Sequence, residues 1–235
     1  MTYTNTHKGT FLARPNRFIA HVEIGGKTEV VHVKNTGRCI ELLVPGAEVV
    51  LQKSDNPARK TQYDLIAVWK DLRLINIDSS APNKVFLEYL QSGRYMAGIT
   101  HIKPEAKYGH SRFDFYVEAG ARKIFIETKG VTLERDGVVL FPDAPTERGV
   151  RHLNELRQCI ADGYEAQVIF IVQMRDVQYF TPNNQLHPAF GASLAAAKNA
   201  GVEVLAFDCM VTEDSLSINQ PVPIQLPQIE RVSYD

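Results

Sequence analysis

The chain has 235 residues, of which 44% are hydrophobic and 23% charged, with a formal net charge of −1. That balance suits an ordinary globular protein of one large or two modest units and excludes binding to a polyanion through global charge, so any nucleic-acid contact must rest on local patches. No apolar run approaches the roughly 20 residues of a bilayer span, the start at Met1-Thr2-Tyr3 is polar, and Cys39, Cys159 and Cys209 are too few and too scattered for a disulfide framework or zinc cluster; a cytoplasmic protein with reduced, packed cysteines and no membrane contact is expected.

Over 18–24, Phe18, Ala20, Val22 and Ile24 alternate with more polar neighbours, and Gly25-Gly26 leads into a second run over 28–33, which predicts a β-hairpin. Further strands are expected over 47–53, 62–70 and 72–77. Short strands broken by turns point to a small OB-like β-barrel. Its residues 1–80 carry eleven Lys/Arg against eight Asp/Glu, whereas 81–235 carry fifteen against nineteen, a mild contrast that chance would also supply. The polar stretch from Asp78 to Asn83 breaks the pattern and divides an N-terminal unit over 1–81 from a C-terminal unit over 82–235.

Beyond the break, Asn83 is placed to cap a helix reaching Gln91, with Val85, Phe86, Tyr89 and Leu90 as its apolar stripe and Gly93 as its stop. Paired strands follow over 112–117 and 123–128, and a third over 138–141. Val150, Leu153, Leu156 and Ile160 recur at helical spacing after Pro145. A β-branched run over 168–173, a helix over 188–200 and a strand over 202–207 complete the expectation. The fold class is therefore α/β, or α+β overall: a barrel followed by a mixed sheet flanked by helices.

The chemistry concentrates in Ser111-Arg112-Phe113-Asp114-Phe115 and Phe125-Ile126-Glu127-Thr128-Lys129-Gly130. Alternation along a strand puts Glu127 and Lys129 on one side of an otherwise apolar segment, and antiparallel pairing brings Asp114 beside them. Two carboxylates and the Thr128 carbonyl suit Mg²⁺ or Mn²⁺, and an adjacent Lys129 suits an attacking water. A salt-bridged strand face is the plain alternative. A second Glu-x-Lys triplet, Glu105-Ala106-Lys107, lacks an apolar frame and is expected to face solvent from a loop.

Those two strings, with Asn35-Thr36-Gly37-Arg38, Ser54-Asp55-Asn56-Pro57-Ala58-Arg59-Lys60, the continuation Val131-Thr132-Leu133, and Phe141-Pro142-Asp143-Ala144-Pro145-Thr146-Glu147-Arg148-Gly149-Val150-Arg151-His152-Leu153, resemble the sugar fermentation stimulation protein A family over nearly the whole chain. The resemblance implies an OB-like domain followed by a domain similar to the PD-(D/E)xK nucleases, that is, restriction-endonuclease-like, with Asp114, Glu127 and Lys129 at the signature positions. It further implies DNA binding and a link to the regulation of sugar, here maltose, utilisation.

Glu88 matches the place of an extra acid in the metal shell, and Arg148, Arg151 and His152 open a helix where a phosphate could bind; surface charge is the plain alternative for each. Asp143 is read as the cap of that helix and Gln173 as a satisfied amide. In the barrel, Arg14, Arg17, Lys34, Arg38, Arg59 and Lys60 fall at strand ends or loops, where an OB-like barrel tracks a nucleic-acid backbone. Two readings result: a DNA-binding protein with a Mg²⁺- or Mn²⁺-dependent phosphodiesterase site, and a DNA-binding regulator without turnover. A sugar-responsive binding protein ranks last, because no aromatic-rich cleft is visible.

Overall fold

The computed structural model describes residues 1–35 and 37–226. Its first half is a sheet of β1 (Thr6–Asn16), β2 (Ile19–Ile24), β3 (Lys27–Val33), β4 (Glu48–Lys53), β5 (Tyr63–Lys70) and β6 (Arg73–Asn76), in the order β3-β2-β1-β4-β5-β6. A parallel pairing of β3 with β5 closes the first five strands into a barrel, and β6 extends it as a hairpin on β5. The Gly25-Gly26 turn has positive φ at both residues, the geometry that a two-residue hairpin loop demands. The expected barrel is therefore present, with β1 added. That strand escapes a hydrophobic pattern because it carries Gly9, whose backbone lies so close to β2 that a Cβ would come within 2.6 Å of Val22.

The second half begins with α1 (Ala81–Gln91) and continues through β7 (Ile99–Tyr108), β8 (Ser111–Ala119), β9 (Arg122–Val131), β10 (Leu133–Arg135), β11 (Val138–Phe141), α2 (Glu147–Ala161), β12 (Glu165–Val172), β13 (Tyr179–Pro182), α3 (Pro188–Asn199), β14 (Glu203–Val211) and β15 (Leu216–Pro221). A six-stranded mixed sheet runs β15-β14-β12-β9-β8-β7, parallel across β14, β12 and β9 and antiparallel at both edges. One face packs on α1 through Val85, Phe86, Phe115, Ile126 and Ile169. The other packs on α2 and α3 through Leu153, Leu156, Phe190, Phe125 and Phe170, in a core continuous with the barrel's Val22, Val33 and Leu65. Burial on both faces explains the unbroken β-branched run of β12.

Several expectations are corrected. Asn83 does not cap α1: the N-cap is Ser80, and Asn83 lies inside the first turn. Asp143 does not cap α2, whose N-cap Thr146 accepts from the Gly149 amide at 3.0 Å. Asp143 instead accepts from the Arg38 amide at 3.1 Å, joining the N-terminal half to the segment between β11 and α2. Glu105 and Lys107 belong to strand β7 rather than a loop, although both are exposed as expected. No helix among the described residues is long and apolar enough to cross a membrane, and all three cysteines are buried and free.

Candidate metal centre

The mixed sheet is irregular at Asp114. The β8–β9 ladder runs from Ala119↔Arg122 to Phe115↔Ile126 and stops. On the other side, Pro104 pairs with Phe115 and Ala106 with Phe113, while Glu105 between them has φ of 53°, an uncommon conformation outside glycine. Phe113 and Phe115, two residues apart, reach opposite layers. Phe115 packs on Phe86 of α1, with ring centroids 5.8 Å apart, and Phe113 packs on Phe125 and His152 of α2, at 5.6 and 6.0 Å.

Asp114 occupies the crossover, and its carboxylate replaces the missing ladder bonds. Oδ2 accepts from the Thr128 amide at 2.8 Å and lies 2.7 Å from the Thr128 hydroxyl, while Oδ1 accepts from Asn83 Nδ2 at 2.7 Å. Asn83 was legible only as a helix cap, because nothing local in the sequence shows that the first turn of α1 lies over this gap. Amide and carbonyl of one residue face the same neighbour in an antiparallel ladder, so the Thr128 carbonyl also faces the gap.

Glu127 points to the α2 layer. Its Oε1 receives a hydrogen bond from His152 Nδ1 at 2.5 Å and an ion pair from Lys129. Arg148 Nε donates to His152 Nε2 at 3.3 Å, which assigns the imidazole proton to Nδ1. Glu127 Oε2 is buried and has no hydrogen-bond partner among the described residues. Burial works to raise the Glu127 carboxyl, but His152 and Lys129 outweigh it and hold the group below the usual glutamate range. Asp114 moves the other way: burial first, then the charge of Glu127, push it above the usual aspartate range against the Thr128 donors.

Asp114 and Thr128 thus lie at the β8–β9 gap, tied to Asn83 of α1, whereas Glu127 and Lys129 lie on the α2 side with His152 and Arg148. Glu88 joins neither group. It pairs with the Met1 amino group at 2.5 Å, since five residues along α1 turn it well away from the side that Asn83 presents to Asp114. Arg151 is exposed. Lys129, expected to be free for a water, is instead paired with Glu127. Gln173 is the satisfied amide expected on its nitrogen side, donating to Asn76 Oδ1 at 2.8 Å and the Asp78 carbonyl at 3.1 Å.

The residues fit a hard divalent ion: a buried carboxylate oxygen lacks a donor among the described residues, a second carboxyl is raised by burial and then by the charge of the first, and a backbone carbonyl faces the β8–β9 gap. Among the described residues no three His, Cys, Asp or Glu side chains gather to hold a metal ion, so backbone and solvent oxygens would complete the shell.

The six barrel cations divide into two sets. Arg14 donates to the carbonyls of Arg38, Arg17 and Asn35, Lys34 pairs with Asp78 at 2.7 Å, and Arg59 forks onto Asp64 at 2.6 and 3.1 Å. These hold the fold. Arg17, Arg38 and Lys60 are exposed, with Arg17 stacked on Phe18 at 4.9 Å.

Comparison with known proteins agrees with this architecture. A family model described as the sugar fermentation stimulation protein RE domain matches residues 80–215, and one described as the SfsA N-terminal OB domain matches 12–77. A sugar fermentation stimulation protein homolog of Desulfitobacterium hafniense (strain DSM 10664 / DCB-2) is 62% identical over 226 residues, 96% of this chain and 99% of that protein. One from Clostridium beijerinckii is 58% identical over 96% of this chain and 100% of its own length. The solved structure of Pyrococcus furiosus SfsA in complex with Ca²⁺ superposes with a TM-score of 0.87 at 29% identity, covering 96% of this chain and 98% of that one. On these matches, the chain belongs to the sugar fermentation stimulation protein family.

Proposed function

We propose that this protein binds DNA and hydrolyses phosphodiester bonds with a Mg²⁺ or Mn²⁺ ion held by Asp114, Glu127 and the Thr128 carbonyl. The observation that carries the reading is Glu127 Oε2, a buried carboxylate oxygen without a donor among the described residues, whose charge acts on the half-buried Asp114; a cation relieves both conditions. That the Pyrococcus furiosus relative is a complex with Ca²⁺ supports a divalent cation as a ligand of this fold. When bound, such an ion supplies Lewis acidity at the phosphoryl oxygen and a more acidic water. Lys129 has two further N–H donors with which to hold that water and offset charge on the phosphate. His152 and Arg148 keep Glu127 oriented from behind. The exposed Arg17, Arg38 and Lys60 contribute sequence-tolerant backbone contacts.

One observation favours a second reading, a DNA-binding regulator of sugar (maltose) metabolism genes without turnover: both Asp114 oxygens and Glu127 Oε1 already have protein partners. The test is incubation of purified protein with single-stranded, duplex and branched DNA in Mg²⁺, Mn²⁺ or chelator, beside Asp114→Ala and Lys129→Ala. Metal-dependent cutting that both variants abolish supports the enzyme. Binding without cutting supports the regulator, and cutting that survives in both variants removes the site from consideration.

A further inference from the structure

One residue past Lys129, a cavity of about 110 Å³ opens at the junction of barrel and mixed sheet, lined by Asn35, Ser79, Gly130, Thr132, Asp143 and Gln173, with Leu133, Leu140 and Phe141 as an apolar wall. Successive Cα atoms are about 3.8 Å apart, so the cavity adjoins the β8–β9 gap. Gln173 is 1% exposed, and its amide is locked in orientation because Nε2 donates to Asn76 and Asp78. Its Oε1 accepts no hydrogen bond among the described residues and lies where a side chain on Gly130 would be, 2.6 Å from an added Cβ. Glycine at 130 therefore leaves that carbonyl open to the cavity.

The other polar groups are of both signs. Asp143 brings a carboxylate that accepts one backbone bond, from Arg38. The Ser79 hydroxyl is turned away, donating to the Lys34 carbonyl at 2.5 Å, and the Asn35 Oδ1 is taken by the Gly37 amide at 2.7 Å. The cavity thus offers two acceptors, Gln173 Oε1 and Asp143, beside an apolar wall, with the Asn35 amide nitrogen and the Thr132 hydroxyl as donors, so its complement is a planar group that carries an exocyclic N–H donor next to an acceptor.

We infer that this cavity receives one unstacked nucleobase bearing an exocyclic amino group, adenine, cytosine or guanine, from a strand whose phosphate lies at the metal centre. The inference rests on the DNA reading above and adds a base-selective subsite to it. A base entering here would give its amino protons to Gln173 Oε1 and Asp143 and stack against Phe141 and Leu140. Thymine brings carbonyls where these acceptors lie and is disfavoured. Grip on the bases thereby comes from the mixed sheet while the barrel holds the backbone.

The test measures binding of short labelled single strands of dA, dC, dT and abasic repeats by anisotropy in Ca²⁺, using wild type and Ser79→Trp, which plugs the exposed mouth. Wild type is expected to bind dA and dC about tenfold more tightly than dT and abasic strands, the effect of about 1.4 kcal/mol. In Ser79→Trp the four affinities are expected to converge on the abasic value. Equal wild-type affinities for based and abasic strands, or a preference that survives the plug, overturn the cavity assignment alone and leave the DNA reading standing. Failure of wild type to bind any strand overturns the DNA reading and the cavity with it. Where the plugged variant does not fold, equal wild-type affinities for based and abasic strands still overturn the assignment.

Discussion

Asn83 Nδ2 donates to Asp114 Oδ1 at 2.7 Å while Asn83 Oδ1 lies 2.6 Å from the Thr128 hydroxyl, so one amide on α1 braces both strands of the β8–β9 gap. Second-layer hydrogen bonds of this kind typically contribute 10–100-fold to metal affinity. Asn83→Ala is expected to weaken Mn²⁺ binding by about tenfold or more, read by calorimetric titration, and to lower stability by about 1 kcal/mol because Asp114 loses a half-buried donor. Unchanged Mn²⁺ affinity would remove the bracing role.

The barrel cations supply a contrast within one class of residue. Arg17, Arg38 and Lys60 are exposed, so replacing any one by Ala should leave the melting temperature unchanged and reduce the slope of log affinity against log salt by about 0.7–0.9 on DNA. Arg59→Ala should instead lower the melting temperature, since it strips the fork from the largely buried Asp64. An equal loss of DNA affinity from Arg59→Ala and Arg38→Ala, with no difference in stability, would contradict the division.

The extent to which these features were legible follows from the range of the interactions. Apolar alternation revealed β2, β3 and β5, and the Asp114, Glu127 and Lys129 set stood out as charge inside apolar strands. Strands β1 and β7 were hidden because Gly9 and Pro104 interrupt them, residues admitted by a close barrel crossing and by a sheet edge. The reversal of Phe113 and Phe115 onto opposite faces was hidden too, as the two residues alternate in sequence like any strand pair and the interruption of the β8–β9 ladder between them involves residues far along the chain. Arg14, Lys34 and Arg59 looked like nucleic-acid contacts because their internal acceptors come from residues 3 to 44 positions away.

Glu134 carries a pH dependence of its own. Its side chain ties β10 to the barrel, pairing with Lys70 at 2.6 Å and Arg73 at 3.0 Å and accepting from the Gly137 amide. Burial works to raise this carboxyl, but Lys70, the Gly137 amide and Arg73 outweigh it and depress it below the usual glutamate range. A depressed folded value means that the stabilisation is complete above the unfolded pKa of about 4.3 and is lost as pH falls through the folded one. Glu134→Gln should therefore be less stable than wild type at pH 7, by about 1–3 kcal/mol, with the gap closing below about pH 4. Urea titrations across that range measure it, and a gap independent of pH would sink the assignment.

Asp114 has the opposite sign, and the hydrogen count around it shows why. The Thr128 hydroxyl lies near both Asn83 Oδ1 and Asp114 Oδ2 but has one proton to give, so an ionised Asp114 leaves one of those oxygens short. A protonated Asp114 closes the ring, donating to Thr128 while Thr128 donates to Asn83, in keeping with a carboxyl raised by burial and by Glu127. Asp114→Asn closes it as well: with Asn83 flipped, the new amide donates to Asn83 Oδ1, Asn83 donates to the Thr128 hydroxyl, and the new carbonyl accepts from Thr128. The raised folded pKa means that wild type folds best below its unfolded value and loses that advantage as pH rises through the folded one. Asp114→Asn is therefore expected to be more stable than wild type at pH 7, by about 1 kcal/mol, with the difference vanishing as acid protonates the wild-type carboxyl, and to lose Mn²⁺ binding altogether. Denaturant titrations at neutral and acid pH beside a Mn²⁺ titration check both halves. A variant less stable than wild type at pH 7, or one that still binds Mn²⁺ normally, would show that this carboxylate is kept for the fold and not for an ion.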